Sequence, residues 1–358
     1  MKSARDYRSE HGSVKRCHNR ILMKALVYTA PLRLEMRELA DPQPKAGEVL
    51  VRIRAVGVCG SDLNGFLGRS KKRVPPLVLG HEFSGEVATS DGVGDIALGA
   101  AVAVYPIVSC GTCEYCVTQR DNLCAARQVY GLDFHGGLAE YASVPARCLF
   151  RMPPSISFVE GSLVEPLANA IHVVGRCGAI RGRTGLIYGA GPIGILCALV
   201  TKQNGARIAV VDRNVHRLTR TKELTAALAV DATALDPVTS VIEWTGGRGV
   251  DFAIDAVGTA QCRQNSIACT ASGGAVICIG LEDEVCAVDT RPIVTREVDV
   301  KGAYAYTRPD FAEALSMLAR KLLPWESLVT KSALPQGQAI FDDLASGHSS
   351  ILKAVFEI

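Results

Sequence analysis

The sequence predicts an α/β protein in which a doubly wound, parallel-sheet domain is inserted into a β-rich domain. Short β-branched runs separated by Gly, Pro and Asp extend from residue 23 to about residue 160. Strand-like and helix-like segments alternate after residue 163, which is typical of a parallel sheet. Near the carboxyl end, a single helix-like segment and a last strand-like run return the chain to the first domain.

These patterns set the expected domain boundaries. We expect the β-rich domain to comprise residues 23–165 and 304–358, with a cysteine-rich lobe at about 106–126. The inserted domain is expected to span residues 166–303. The length of 358 residues agrees with two domains at ~150 residues each.

Composition excludes several classes of protein. Hydrophobic residues make up 48% of the chain and charged residues 21%, which is a globular balance and excludes a disordered or fibrous protein. A net charge of +3 is too small to indicate a nucleic-acid partner. No apolar run reaches the ~18 residues that a membrane span requires, so no membrane partner is expected.

The first 22 residues differ from the rest in charge, with six basic and two acidic residues. They lack the apolar core of a secretory signal, and their acidic residues disfavour a transit peptide. We expect residues 1–22 to form a disordered extension and the protein to be cytoplasmic.

A glycine-rich turn predicts a dinucleotide site. It matches G-x-G-x-x-G, follows a strand-like run and begins a helix-like segment, where backbone N–H groups can meet a pyrophosphate. The predicted cofactor contacts in this turn are Gly189, Gly191, Pro192, Ile193 and Gly194. Val257 and Gly258, the last two residues of the strand-like DFAIDAVG, complete the predicted set.

The residue at the end of the next strand predicts the cofactor. Asp212 lies 21 residues after Gly191, a spacing that suits a carboxylate binding the adenosine ribose. Such a carboxylate repels a 2′-phosphate and favours NAD over NADP. Arg213 follows directly and is the residue that could instead pair with that phosphate.

Four cysteines lie within 15 residues in the spacing C-x2-C-x2-C-x7-C. Four thiolates suit a closed, structural, tetrahedral zinc site. An iron–sulfur cluster is the rival, but bacterial clusters use a shorter last gap followed by proline, and here Ala125 follows. The predicted ligands are Cys110, Cys113, Cys116 and Cys124.

A second set of ligand-type residues is dispersed along the chain. Cys59 follows a strand-like run, His81 and Glu82 lie in LGHEF, and Glu165 lies at a predicted helix start. Cysteine, histidine and carboxylate form a catalytic zinc set that leaves a position for substrate. Each residue alone would equally suit a core thiol, a turn histidine or a helix-start carboxylate.

Taken in order, these motifs resemble the zinc-dependent medium-chain alcohol dehydrogenases, in the sorbitol, threonine and sugar-alcohol-phosphate branch. The resemblance covers about residues 23–358, and it implies a GroES-like catalytic domain with an inserted Rossmann domain. The segments that carry it are CGSD, GHE, the four-cysteine spacing, GGLAEY, EPLANAIH, GAGPIG and REVDVKG.

The resemblance also implies the roles of individual residues. Cys59 and His81 match two catalytic-zinc ligands. Glu82 matches a carboxylate that binds zinc directly or intermittently, and Glu165 one that binds directly or through water. A second zinc in the cysteine lobe would bring the total to two per chain.

Two further residues are implied in catalysis. Asp62 matches the acid that fixes the tautomer of the zinc histidine, and Ser61 matches the hydroxyl that receives the substrate proton. Zinc would act as a Lewis acid on a secondary alcohol, and NAD would accept the hydride. We expect a homodimer or homotetramer that acts on a small-molecule alcohol.

Departures from the family pattern bear on the substrate. Asn64 replaces a relay histidine, and Ala305 aligns with a polyol-binding arginine, which disfavours sorbitol. The basic run Arg69–Arg73 could meet a substrate phosphate or be only a solvated loop. The expected substrate is a secondary alcohol such as a polyol or a sugar-alcohol phosphate, with L-threonine or a vicinal diol as alternatives. A non-catalytic NAD-binding protein of this fold is a more remote alternative, because such a protein would be expected to have lost zinc ligands.

Overall fold

The computed structural model describes residues 22–89 and 96–358. The predicted extension lies outside these residues, except for Leu22, which begins the first strand. None of the helices in the described ranges has the length and apolar character needed to cross a bilayer.

The amino-terminal part of the chain is rich in strands and has short helices. Its strands are β1 (Leu22–Ala30), β2 (Arg33–Ala40), β3 (Glu48–Gly57), β4 (Leu77–Val78), β5 (Glu82–Thr89), β6 (Ala101–Val104), β7 (Ile107–Val108), β8 (Gln128–Val129), β9 (Tyr141–Pro145) and β10 (Leu149–Arg151). Its helices are α1 (Gly60–Phe66), α2 (Glu114–Val117), α3 (Phe158–Ser162) and α4 (Val164–Arg176).

Strand β3 lies at the centre of this part and positions the candidate site. It pairs antiparallel with β5, with Gly57 opposite Glu82. The last strand of the chain, β18, pairs with its other edge and sets Val355 opposite Gly57. Because both neighbours meet the carboxyl end of β3, residues far apart in the sequence converge where the chain turns into α1.

Strands and helices alternate in the middle of the chain. They are β11 (Thr184–Tyr188), α5 (Pro192–Gln203), β12 (Arg207–Asp212), α6 (Val215–Thr225), β13 (Leu228–Asp231), α7 (Pro237–Trp244), β14 (Val250–Asp255), α8 (Ala260–Cys269), β15 (Thr270–Cys278), α9 (Arg291–Thr295) and β16 (Asp299–Gly302).

These strands form one parallel sheet in the order β13-β12-β11-β14-β15-β16. Leu186 and Tyr188 of β11 enter one buried cluster and Ile187 enters another, so both faces of the sheet are covered. This is the doubly wound dinucleotide-binding order, with its switch point between β11 and β14. The predicted fold class is confirmed, whereas the residue limits of the domains remain predictions.

The end of the chain returns to the amino-terminal part. It contains α10 (Arg308–Ala319), β17 (Val329–Ala333), α11 (Gly337–Ala345) and β18 (Lys353–Glu357). His172 Nδ1 of α4 lies 2.8 Å from Asp310 Oδ2, which also accepts from the Thr307 amide at the start of α10. Helices α4 and α10 are therefore joined where the chain leaves and re-enters the strand-rich part.

Candidate active site

The glycine-rich turn joins β11 to α5 at the switch point. Gly191 precedes the helix and Pro192 is its first residue, where proline lacks only an N–H that would have no helical partner. A Cβ added at Gly194 would lie 1.8 Å from the Gly189 carbonyl oxygen, so helix and strand approach as closely as only glycine allows. Ile193 is half-buried at the same helix start.

Asp212 at the end of β12 faces this turn. Its carboxylate accepts hydrogen bonds from the Ala190 amide at 2.5 Å and the Asn214 amide at 2.8 Å. The carboxylate therefore holds the turn as well as lying beside it. Arg213, next in the chain, is exposed.

Val257 and Gly258 lie after β14, across the switch point from the turn. Their amides donate to Asp255 Oδ1 at 3.0 and 2.7 Å, so these N–H groups already have partners. A Cβ added at Gly189 would lie 2.9 Å from Val257 Cγ2. The Val257 side chain thus borders the turn.

Sequence reasoning missed Arg217, in the first turn of α6. Its Nη1 lies 3.9 Å from the position that a Cβ at Gly191 would occupy. Its Nε is buried and has no hydrogen-bond partner among the described residues. The signal was present in the sequence as a basic residue one turn into the helix that follows Asp212.

The four lobe cysteines converge between β7 and β8. Their sulfur atoms all lie within 4.8 Å of one another. The Cys116 sulfur lies 3.8 Å from that of Cys110 and 3.5 Å from that of Cys113. Sulfurs of a regular ZnS₄ tetrahedron stand about 3.8 Å apart for Zn–S bonds of about 2.3 Å. The two distances from Cys116 are close to that separation.

One thiol of the lobe ionises readily. Hydrogen bonds from Thr112 and the Cys113 amide lower the pKa of Cys110 to about 6, which favours the thiolate that binds zinc. At Cys113 a hydrogen bond with the Cys116 backbone lowers the pKa, but burial and the neighbouring sulfurs outweigh it and raise the pKa to about 11. The lobe is tied to the segment before α10, because Asn122 Nδ2 donates to the Tyr304 carbonyl at 2.7 Å. Arg127 lies over the Tyr304 ring at 4.5 Å.

Three of the four dispersed residues form a second cluster. Ligand atoms of Cys59, His81 and Glu82 all lie within 4.8 Å of one another, with His81 and Glu82 buried. A thiol, an imidazole and a carboxylate in one partly buried site are the donor set of a catalytic zinc with an open position. The residues present fit that metal.

Asp62 lies beside His81. Its Oδ2 accepts from the Cys59 amide at 3.1 Å, and its Oδ1 lies 3.2 Å from His81 Nδ1. Burial raises the pKa of Asp62, but the charges of His81 and Arg73 outweigh this effect and hold it well below its usual range. When His81 is neutral, an ionised Asp62 beside Nδ1 favours the tautomer that carries its proton there and leaves Nε2 free for a metal.

Glu82 also has a partner that the sequence did not reveal. Lys353 forms an ion pair with Glu82 Oε2 and donates to the Val58 carbonyl at 2.8 Å. Both side chains are buried. A Cβ at Gly57 would lie 2.2 Å from Glu82 Oε2 and 3.1 Å from Lys353 Cε, so the pair needs glycine on β3.

Glu165 lies outside the three-residue cluster. Its Oε1 accepts from Asn169 Nδ2 at 3.2 Å, and the buried Tyr306 hydroxyl faces it. Burial raises the pKa of Glu165 to about 7, with Glu82 adding to this effect and His81 opposing it. The structure therefore brings Glu82 closer than Glu165 to Cys59 and His81.

Ser61 follows Cys59 on the first turn of α1. Its Oγ accepts a hydrogen bond from Arg73 Nη2 at 3.0 Å, a contact that the sequence did not reveal. Asn64 is half-buried on the same helix. Ala305, at the position of the missing polyol arginine, has a φ of 49°.

The basic run before β4 is largely paired. Lys71 Nζ lies 2.8 Å from Glu284 and Arg69 lies 3.8 Å from Glu282, both on the loop after β15. Arg73 contacts Ser61 and Asp62. Three of the four charges that suggested a phosphate site therefore face carboxylates or the buried cluster, and Lys72 is exposed.

Comparison with known proteins agrees with this geometry. The model for the alcohol dehydrogenase GroES-like domain matches residues 45–154, and the zinc-binding dehydrogenase model matches residues 192–320. The chain belongs to the zinc-dependent alcohol dehydrogenase family. It is an oxidoreductase of the zinc-dependent, dinucleotide-using alcohol and polyol class.

Individual relatives cover most of the chain. It is 35% identical to the sorbitol dehydrogenase of Gallus gallus over 84% of this chain and 86% of that one. It is 33% identical to the L-threonine 3-dehydrogenase of Bacillus velezensis over 75% of this chain and 79% of that one.

Two solved structures share the fold over 94% of this chain. A Sinorhizobium meliloti protein solved with NADP has a TM-score of 0.87 at 29% identity, with 99% of its chain covered. An Escherichia coli alcohol dehydrogenase solved with NADH has a TM-score of 0.88 at 27% identity, with its whole chain covered.

Proposed function

We propose that this protein oxidises an uncharged polyol or vicinal diol at a secondary carbon, using NAD and two zinc ions per chain. The carrying observation is the partly buried cluster of Cys59, His81 and Glu82, with Ser61 two residues after Cys59 on α1. Cys110, Cys113, Cys116 and Cys124 would hold the second, structural zinc.

Each residue of the cluster has a task that its contacts support. Cys59, His81 and Glu82 would hold the catalytic zinc, and Lys353 keeps Glu82 in place. Asp62 fixes the imidazole tautomer of His81. Glu165, set further back beside Asn169, would act through water.

When bound, zinc supplies Lewis-acid polarisation of the substrate oxygen and the nicotinamide supplies the hydride acceptor. Ser61 accepts the substrate proton at Oγ while its own proton moves to an acceptor in the cleft. Asn64 does not titrate near neutral pH, so it cannot store that proton. The cofactor ribose or water is the remaining acceptor.

The preference for NAD is supported by Asp212, whose carboxylate is anchored beside the glycine-rich turn by two amides. A 2′-phosphate would meet this negative charge. Arg217, beside Gly191, would contact the anionic part of either dinucleotide. Gly189, Gly191, Pro192, Ile193, Gly194, Val257 and Gly258 would line the same site.

The proposal for an uncharged substrate depends on the pairing of the basic run. Arg69 and Lys71 face Glu282 and Glu284 in exposed ion pairs, so their charges are partly neutralised before any substrate binds. A neutral hydroxyl compound needs no such charge. The pairing therefore favours a neutral substrate over a phosphate.

A substrate panel tests the proposal. NADH formation would be compared for polyols, sugar-alcohol phosphates, vicinal diols and L-threonine, with NADP tested in parallel. We expect a neutral polyol or vicinal diol to have the highest kcat/KM. A sugar-alcohol phosphate or L-threonine in that place would refute the substrate proposal without touching the reaction class.

L-Threonine is the second candidate. The chain shares Asn169 and His172, in NAIH, with the threonine dehydrogenase pattern, and it matches a threonine dehydrogenase over three quarters of its length. In this protein His172 faces Asp310, so it is not at the buried cluster. The structure thus favours this candidate less than the sequence did.

We also propose a homodimer or homotetramer in the cytoplasm. Strand β16 is the edge of the parallel sheet, and Val300 on it is exposed together with Val294 before it, which suits pairing with a second copy. Free thiols in two metal clusters favour a reducing compartment. Light scattering on the purified protein would give the oligomeric state, and a monomer would refute the proposed homodimer or homotetramer.

A further inference from the structure

Arg73 lies beside the hydroxyl to which we assign the substrate proton, although it belongs to none of the family motifs. Its Nη2 donates to Ser61 Oγ at 3.0 Å and lies 3.4 Å from Asp62 Oδ1. The side chain is only 9% exposed, and its Nε is buried with no hydrogen-bond partner among the described residues. A guanidinium is therefore held inside the protein at the proposed relay.

The surroundings hold Arg73 in this place. A Cβ added at Gly65 would lie 2.4 Å from Arg73 Cδ, so α1 leaves room for the arginine stem only because it carries glycine there. The Arg73 amide donates to Ser70 Oγ at 3.2 Å, which fixes the backbone before β4. The Asp62 charge, the Ser70 hydrogen bond and the space at Gly65 together hold the Arg73 guanidinium against Ser61.

We propose that Arg73 is a positioning residue that orients the Ser61 hydroxyl for proton transfer. A serine hydroxyl offers one hydrogen and two acceptor lone pairs. The Arg73 N–H occupies one lone pair, so the substrate hydroxyl meets the other. The Ser61 hydrogen must then point away from the guanidinium, towards the cleft.

The same contact decides how the proton leaves. As Ser61 takes the substrate proton, its own proton passes to a ribose hydroxyl or a water in the cleft, and the hydroxyl is regenerated. Arginine keeps its protons at any working pH, so Arg73 cannot carry this proton onward. Arg73 therefore orients the Ser61 hydroxyl, whereas a relay histidine would hold the released proton. This inference rests on the proposed role of Ser61.

The test is a double-mutant cycle on the zinc-loaded enzyme with NAD and its best alcohol. Arg73→Met should lower kcat by about tenfold, less than the roughly 10²–10⁴-fold of a whole general acid–base step, with NADH affinity unchanged. Its solvent deuterium isotope effect on kcat should rise, because proton transfer becomes limiting. In a Ser61→Ala background, Arg73→Met should cause no further loss.

Arg248→Met is a matched control. Arg248 also donates to a hydroxyl, that of Thr184 at 3.2 Å, and to a carboxylate, that of Asp251 at 2.8 Å. These residues lie at the amino ends of β11 and β14, away from the glycine-rich turn. This variant should keep wild-type kcat and isotope effect.

The outcomes separate this inference from the proposed function. Wild-type kcat in Arg73→Met, or an equal loss in the Ser61→Ala background, overturns the role of Arg73. Wild-type kcat in Ser61→Ala overturns the proposed relay itself. If Arg73→Met does not fold, Arg73→Lys keeps the charge and most of the volume. It should then show a smaller loss of kcat and a smaller rise in the isotope effect, and wild-type values of both overturn the inference.

Discussion

Lys353 and Glu82 form an ion pair inside the protein although 271 positions separate them in the chain. The pair exists because β18 and β5 flank β3, and Gly57 leaves the space between them. Burial alone lowers the pKa of Lys353, but the charge of Glu82 more than offsets this, so the amine stays protonated. One proposed zinc ligand is therefore held by the last strand of the protein.

Removing Lys353 should expose the cost of a buried, unpaired carboxylate. We expect Lys353→Met to lower the free energy of unfolding of the zinc-free protein by about 3–5 kcal/mol. Glu82→Gln combined with Lys353→Met should recover much of that loss, since no unpaired charge remains. Urea unfolding followed by circular dichroism measures both effects.

Lys331→Met supplies the control for that measurement. Lys331 pairs with Glu357 at 3.4 Å, but both side chains are about half exposed. Its loss should cost less than about 1 kcal/mol. Equal destabilisation by the two lysine variants would contradict a special role for the buried pair.

The two proposed zinc sites should be separable by mutation. Protein purified without chelator should contain close to two zinc ions per chain by elemental analysis. Cys113→Ser should lose the lobe zinc and with it stability, because an open lobe loses its cross-link. Cys59→Ser should keep the lobe zinc and lose turnover.

A Cys59→Ser enzyme with wild-type turnover would refute the catalytic assignment. Loss of both zinc ions in Cys59→Ser would show instead that the sites depend on each other. Such coupling could pass through one short segment. Asn122 of the lobe donates to the Tyr304 carbonyl, and Tyr306, two residues after Tyr304, faces Glu165.

Asp212 should set the preference between NAD and NADP. Asp212→Ala should weaken NAD binding and bring the kcat/KM with NAD closer to the kcat/KM with NADP. Because Ala190 and Asn214 donate to this carboxylate, the alanine variant should also lose stability. Steady-state kinetics and thermal unfolding would be measured together.

Asp212→Asn separates the two effects. It keeps an oxygen acceptor for one amide but removes the negative charge, so it should narrow the cofactor ratio with less loss of stability. A wild-type enzyme with the higher kcat/KM for NADP would instead make Arg213 or Arg217 the deciding residue.

Histidine at position 64 should alter the pH dependence of turnover. Asn64→His adds a group that titrates near neutral pH on the helix that carries Ser61. The variant should show a higher kcat near neutral pH or a shifted pH profile, provided that proton transfer is partly rate-limiting. An unchanged profile, with hydride transfer shown not to be limiting by substrate deuteration, would count against the relay.

Much of this protein was accessible from sequence alone. The glycine-rich turn and the four lobe cysteines are contiguous, so their spacing implies their chemistry before any tertiary contact forms. The alternation of strands and helices likewise predicted the doubly wound sheet, because periodicity reflects which faces are buried. The roles of the dispersed residues, such as Cys59 and Glu165, came through resemblance and remain predictions.

The tertiary structure decided which remote side chains join these motifs. Lys353 reaches Glu82 only through the pairing of β18 with β3, and Arg73 reaches Ser61 only because Gly65 makes room for it. The tertiary structure also pairs Lys71 with Glu284, which makes a phosphate site at the basic run Arg69–Arg73 less favoured. Spacing along the chain carries local geometry, whereas strand order and packing alone set contacts between residues that the sequence separates widely.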